Sequence, residues 1–534
     1  MVARILVVEP VAQAGLDILA AAHDTDLRIG LDRAAVLSLL GGEGGYDALV
    51  VRSQTRVDAE LLAAAAPRLS VVGVASVGID RIDVDAATRA GVMIVNAPTG
   101  NTIAAAEHTM ALMLALLRHV PTADASVRSG EWERSRYTGR ELRGKVLGVI
   151  GLGKIGKAVA RRAAGFEMRV LTSDPYLTEE QASEAGAKLV GLAELLHRSD
   201  VISVHTPLTT QTRGLLGRAQ LEATKPGAFV LNVARGGIVD EGALADALRS
   251  GQLGGAAVDV YSTEPMTVDN PLRSAPNLVL TPHLGASTSE AQDRVGQEMA
   301  EQILMALAGT TPPYAVNAPS VGPETAPRLR PYVELGRRLA LLARQLAPGA
   351  FDAMSITYAG EIAGGECAPI RTAALAGMLE AVTDQRVNAV NADLVAHERG
   401  LTVRETRTAS SEPWASLVEL SIGPSEGPPI LTLAGSTAHG RAHLAGLDGF
   451  AIDAELAGLM LVTRHQDRPG IVGAVGTILA AARINISSLE LSRLSERGEA
   501  MMFVAVDDPL DQGVLERVRQ VDGITEARLV ELPT

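Results

Sequence analysis

Three residues of types suited to acid–base chemistry recur at one kind of place in this sequence. Arg235 follows the apolar run "AFVLNVA", Glu264 follows "GGAAVDVYST" and His283 follows "NLVLTP". Each run reads as a buried strand. Each residue is therefore expected at a strand's carboxyl end, where ligands of open α/β sheets bind. An imidazole titrates near neutral pH and can take a proton from a hydroxyl. A guanidinium fork holds a carboxylate through two bonds. A carboxylate beside an imidazole stabilises its charged form and orients the ring. Singly, a histidine or an arginine is more often structural, but together they suit the oxidation of a hydroxyacid. His283 serves as base, Arg235 holds the substrate carboxylate and the developing carbonyl oxygen, and Glu264 sets the state of His283.

Such an oxidation needs a hydride acceptor. The stretch "KVLGVIGLGKIG" runs from an apolar strand into Gly151-Leu152-Gly153-Lys154-Ile155-Gly156, and "KAVARRAAGF" continues it as a helix. In this context the glycines read as a dinucleotide turn. Gly151 permits the tight turn, Gly153 lets the backbone approach a pyrophosphate, and Gly156 lets helix pack on strand. The helix N-terminus supplies free N–H groups for the phosphate charge. Asp174, 23 positions after Gly151, closes the second strand in "TSDP". A carboxylate there accepts from ribose hydroxyls and repels a 2′-phosphate, so NAD is the expected cofactor.

The elements that must position these groups alternate strand and helix. In the first hundred residues "RILVVEP", "DALVVRS", "LSVVGVAS" and "GVMIVNAP" read as four strands separated by helices. From Lys145 about six more strands follow, and each set predicts a doubly wound parallel sheet. Arg52-Ser53 ends a strand of the first sheet, and Asn101 opens the helix "TIAAAEHTM", so these groups suit an anionic substrate. Backbone N–H groups around Ser76 and Gly78 can hold a carboxylate. A helix is expected over "SEAQDRVGQEMAEQILMAL", and Gly309–Pro331, with six prolines, reads as a linker. Two further units follow it.

Bulk properties narrow the classes. The chain has 534 residues and a formal net charge of −14, which argues against a general nucleic-acid binder. The single cysteine, Cys367, excludes an intramolecular disulfide framework, and the histidines show no metal-ligand spacing. With no secretory signal pattern and no apolar run of about 20 residues, a cytoplasmic protein without membrane contact is expected.

The motifs "NVARGGIVDEGAL", "AAVDVYSTEP", "TPHLGAS" and "VISVHTPLT" resemble signatures of the D-isomer-specific 2-hydroxyacid dehydrogenases. The resemblance implies that Arg235, Glu264 and His283 form the catalytic triad. It implies that the cofactor lies along Gly151, Gly153, Lys154, Ile155 and Gly156. Asp174, His205, Thr206, Pro207, Val233, Ala234, Asp259, Gly285, Ala286 and Val77 would complete that site. It also implies a Rossmann nucleotide domain (100–285) inserted into a flavodoxin-like substrate domain (1–99 and 286–318). "GEWERSRY" resembles a family segment that reaches the active site, within its own chain or across the dimer, and offers Arg134.

Further on, Arg371–Thr406 resembles the intervening domain of the long-form D-3-phosphoglycerate dehydrogenases, expected as an α+β unit over 319–455. Leu459–Leu491 resembles an ACT domain, a βαββαβ fold expected over 456–534. ACT domains pair and bind amino acids, which implies a homo-oligomer, a tetramer by family habit, with serine as effector at His465, Asp467 and Asn485. The substrate so implied is 3-phospho-D-glycerate, oxidised at the entry to serine synthesis. One departure keeps alternatives open. Many members carry Arg-Ala-Gly in the substrate loop, whereas this chain reads Gly73-Val74-Ala75-Ser76-Val77-Gly78-Ile79-Asp80. Another D-2-hydroxyacid such as glycerate or hydroxyglutarate, or an NAD-sensing scaffold or corepressor, are the other readings.

Overall fold

Continuous apolar runs near the start of the chain become parallel strands buried on both faces, as a sheet covered by helices requires. In the computed structural model, which describes residues 2–533 except 323, 348, 381, 382, 384 and 385, these are β1 (Arg4–Val7), β3 (Ala48–Val51), β4 (Val71–Val74) and β5 (Met93–Asn96). A fifth strand, β2 (Asp24–Leu27), was not expected. Its sequence "DTDL" has no apolar pattern because it pairs only with β1, at the sheet edge. The order is β2-β1-β3-β4-β5, all parallel, the flavodoxin-like order.

The second sheet holds β6 (Val146–Ile150), β7 (Arg169–Ser173), β8 (Lys188–Leu189), β9 (Val201–Val204), β10 (Ala228–Asn232), β11 (Leu253–Val258) and β12 (Leu278–Leu280). Its order is β12-β11-β10-β9-β6-β7-β8. That is the Rossmann order with one strand added, and the chain reverses direction across the sheet between β6 and β9. The seventh strand is the two-residue β8, again a polar edge too short for a pattern to register.

The helix Ser289–Leu307 returns from the second sheet to cover the first. A Cβ at Gly15 would lie 2.6 Å from the Gly296 carbonyl oxygen, and one at Gly73 would lie 2.3 Å from Ile303 Cδ1. At Gly15 the helix Gln13–Ala22 meets the returning helix backbone to backbone, and at Gly73 the bare strand leaves room for the Ile303 side chain. The expected linker is not free. Ala315 bridges Val95, Val316 N–H donates to the Ile94 carbonyl, and Asn317 Oδ1 accepts from Ile94 N–H at 2.9 Å. Nor does it extend to Pro331. A helix runs Ala326–Leu346 with Pro331 inside it. Proline removes one helical bond. Burial of Leu329, Leu335, Leu339 and Leu342 offsets that loss. Pro323, also assigned to the linker, lies outside the described residues.

That helix and Ala368–Leu379 cover a six-stranded mixed sheet whose last strand is Phe450–Glu455. A four-stranded antiparallel sheet follows with βαββαβ order, its centre the strand Gly458–Gln466. Leu461 and its neighbours pack on the two helices of this unit. Met460 and Val462, on the opposite face, join the core of the preceding unit. The protein is thus α/β with two doubly wound parallel sheets, followed by a mixed sheet and an antiparallel one. Among the described residues no single helix is long and apolar enough to cross a membrane.

Candidate active site

A cleft of about 1280 Å³ opens between the carboxyl ends of the two parallel sheets. β10, β11 and β12 each deliver one side chain to it, and those are Arg235, Glu264 and His283. His283 Nδ1 lies 2.7 Å from Glu264 Oε2. The other Glu264 oxygen accepts from Tyr261 N–H at 2.9 Å, which fixes the carboxylate against its own strand. The Glu264 carboxylate raises the His283 imidazole above its ordinary value, against burial and the nearby Arg235. Burial works to raise the Glu264 carboxyl in turn. The bonds from His283 and Tyr261 outweigh that and hold it below the usual carboxylate range. With Nδ1 committed to Glu264, Nε2 is the nitrogen left for a substrate proton.

Arg235 crosses from the second sheet toward the loop after β4. Its Nε lies 3.3 Å from Asp80 Oδ2, and its Nη1 donates to the Ala234 carbonyl at 2.8 Å. The buried Asn232 shapes the turn beneath, donating to the Arg235 carbonyl and accepting from Ala234 N–H. Gly78 makes the crossing possible. A Cβ there would sit 2.4 Å from Arg235 Nη2 and 2.7 Å from Asp80 Oδ2. In the same loop the Ser76 hydroxyl donates to the Gly78 carbonyl at 2.7 Å.

The expected substrate groups Arg52, Ser53, Ser76, Gly78 and Asn101 all line this cleft, with Val77 and Ala286. Asn101 differs from expectation in one respect. It precedes the helix Thr102–Leu117, but its side chain makes no capping bond, and its buried Oδ1 has no partner among the described residues. Arg134 is not brought to the cleft of its own chain. It lies in the exposed turn Arg134–Tyr137, beside a Trp132 that is 78% exposed.

The glycine turn behaves as three distinct positions. Gly151 has φ 86°, and a Cβ on it would meet Thr206 Cγ2 at 2.7 Å. Gly156 lies against the Gly151 carbonyl, 2.2 Å from where its Cβ would be. Gly153, by contrast, faces open space, and the helix Lys154–Gly165 behind it has no side-chain cap. An uncapped helix start and a bare backbone fit a pyrophosphate. The Thr206 hydroxyl, buried and without a partner among the described residues, offers a further polar group. Asp174 is tied into the turn, accepting from Leu152 N–H and Tyr176 N–H at 3.0 Å each. His205 lies 2.8 Å from the Ser203 hydroxyl, and burial pushes its imidazole down to about 4, so the ring is neutral. Val233 and Gly285 pack together at the adjoining edge of the second sheet.

Asp259 departs from the expected cofactor contact, because it is fully buried. Its carboxylate accepts from the Thr281 hydroxyl at 2.6 Å, from the N–H groups of Leu284 and Gly285 at 2.8 and 2.9 Å, and from His108 at 3.2 Å. Its carbonyl accepts from His283 N–H. It therefore holds the loop that carries His283, and the four donors keep it ionised against the effect of burial. Sequence reasoning missed Asp80, His108 and Arg273 at this site. Arg273 lines the cleft from a short turn, with no pattern to mark it.

In the antiparallel unit, His465 is 3% exposed and faces Thr463. Asp467 pairs with Arg493 at 2.7 Å, and Asn485 donates to Asp507 at 2.6 Å. The three expected effector residues thus have partners within this chain.

Residues 110–285 match the NAD binding domain of the D-isomer specific 2-hydroxyacid dehydrogenases. Residues 328–442 match the D-3-phosphoglycerate dehydrogenase intervening domain, and 459–523 match the ACT domain. The chain is 41% identical over 532 residues to a D-3-phosphoglycerate dehydrogenase of Archaeoglobus fulgidus, covering 99% of this chain and 100% of the relative. It is 40% identical over 531 residues to one of Synechocystis sp., covering 99% and 95%. Among solved structures, a glyoxylate reductase from Paecilomyes thermophila superposes with a TM-score of 0.55 at 30% identity, over 59% of this chain and 98% of that one. An NAD-dependent formate dehydrogenase from Staphylococcus aureus in complex with NAD gives 0.51 at 29% identity, over 57% and 95%.

Proposed function

The chain belongs to the D-3-phosphoglycerate dehydrogenases within the D-isomer specific 2-hydroxyacid dehydrogenase family, and from that premise we propose that it oxidises 3-phospho-D-glycerate to 3-phosphohydroxypyruvate with NAD, the first step of serine synthesis. The observation that carries this is the cleft itself. It sets the His283–Glu264 pair and Arg235 opposite Arg52, whose guanidinium has no ion-pair partner among the described residues.

NAD, when bound, would supply the hydride acceptor for the carbinol carbon. Gly151, Gly153, Gly156 and Asp174 would hold its pyrophosphate and ribose, with His205–Pro207, Val233, Ala234, Gly285 and Ala286 around it. His283 Nε2 takes the hydroxyl proton as the carbonyl forms, and Glu264 stabilises the imidazolium that results. Arg235 holds the carboxylate and leaves Asp80 to do so. Arg52 and Ser53 hold the phosphate. In the reverse direction the same His283 returns the proton. The substrate loop reads Val74-Ala75-Ser76 where many relatives carry Arg-Ala-Gly, which favours a comparison with unphosphorylated hydroxyacids.

We divide the chain into a substrate domain (1–99 and 286–318), a nucleotide domain (100–285), an intervening domain (319–455) and an ACT domain (456–534). Exposed Trp132, Leu491 and Leu494 support a homo-oligomer, a tetramer in this reading, working in the cytoplasm. Serine is the proposed effector of the ACT domain.

Steady-state kinetics with purified protein, NAD and 3-phosphoglycerate, with and without serine, tests both readings. Absence of turnover in either direction overturns the first. Absence of serine binding by calorimetry overturns the second.

A further inference from the structure

Glu9 is a buried carboxylate for which the chemistry above has no use. It stands just beyond β1 and is 4% exposed. Its Oε2 accepts from the N–H groups of Ser53 and Gln54 at 2.9 and 3.0 Å, and its Oε1 from Thr55 N–H at 2.8 Å. No arginine or lysine pairs with it among the described residues. Burial would push the carboxyl up, but the backbone N–H groups together hold it below the usual range, so it stays ionised.

Successive N–H groups converging on one point form a concavity that in many proteins takes a phosphate. Here the chain fills that concavity with its own carboxylate. The amides of residues 53–55 are therefore closed to a ligand. The loop after β3 is also locked in one shape, with Arg52, Ser53 and Gln54 on the cleft wall.

We propose that Glu9 is a positioning residue for the substrate's phosphate: it binds the backbone of residues 53–55 and so aims the Arg52 guanidinium and the Ser53 hydroxyl at the anionic end of the substrate. This rests on the phosphoglycerate reading. Phosphate recognition then comes from two side chains on a preorganised loop. A shape held in advance loses less entropy on binding.

Glu9→Gln keeps the volume but turns an NH2 toward backbone N–H groups. In the full-length protein it is expected to raise KM for 3-phosphoglycerate roughly tenfold, the scale of one charge-assisted hydrogen bond, with kcat within about threefold. NAD affinity is expected to hold, as is the Ki of D-glycerate, the same acid without its phosphate. Arg52→Ala and the double variant close the cycle, and the double variant is expected to fall well short of the product of the two single losses, because only the Ser53 share of the Glu9 effect remains. If Glu9→Gln does not fold, Glu9→Asp, which keeps the charge and shortens the reach, is read in the same cycle. A folded variant with unchanged KM overturns the proposal, as do equal losses for 3-phosphoglycerate and D-glycerate, or additivity with Arg52→Ala. Failure of the substrate reading looks different: the unmodified protein itself then fails to favour 3-phosphoglycerate over D-glycerate.

Discussion

His283 and Glu264 face each other across two strand ends, Nδ1 to Oε2 at 2.7 Å, and each shifts the other's titration. The imidazole is raised and the carboxyl lowered, so the charged pair is complete only between their two ranges. Oxidation needs His283 neutral, so activity should rise as pH climbs through its raised pKa. Glu264→Gln removes the main cause of that rise. The acid limb of kcat/KM in the oxidation direction should then move to lower pH, with kcat also reduced. His283→Ala should cost about 10²–10⁴ in kcat, the usual share of a general base, with NAD affinity intact. A pH–rate profile alongside a direct NAD titration checks both.

Gly78 lies where a side chain would displace the Arg235 guanidinium, 2.4 Å from Nη2. Gly78→Ala should therefore lower kcat/KM by about a hundredfold, as misplacement by about 1 Å can. Arg235→Ala should lower kcat as well as raise KM. Comparing the two variants by steady-state kinetics separates a displaced guanidinium from a missing one.

The glycines of the nucleotide turn should divide into two classes. Gly156→Ala drives a methyl into the Gly151 carbonyl and should destabilise the fold by about 1–3 kcal/mol, the usual range for overpacking. Gly153→Ala meets nothing within 4 Å. It should melt like the unmodified protein yet bind NAD more weakly, because the methyl occupies the approach to the pyrophosphate. Thermal melts with and without NAD distinguish them.

Arg134 stands away from its own cleft, in an exposed turn. If it serves the site of a neighbouring subunit, Arg134→Ala and His283→Ala, each impaired alone, should complement when mixed and reassembled. Hybrid activity well above the two parents is the expected outcome. No recovery places Arg134 elsewhere.

Local pattern made much of this protein legible. Apolar runs bounded by turns marked β1, β3, β4, β5 and the long strands of the second sheet. Residue types at their ends marked Arg235, Glu264 and His283. Gly151, Gly153 and Gly156 were readable because a turn's demands on its glycines lie within six residues of chain. The edge strands β2 and β8 were not readable, because an edge strand buries too little to need an apolar pattern.

The tertiary structure decided what depends on distant chain meeting in space. That Glu9 would bind amides 44 to 46 residues onward has no local signal. Neither does the way Asp259 holds the His283 loop and accepts from His108. Asp80 lay within a loop that could be quoted from the sequence, yet only folding put it beside Arg235. Periodicity reports which face of an element is buried. It does not report which buried charge finds which donor, because that is fixed by how two sheets and their loops pack.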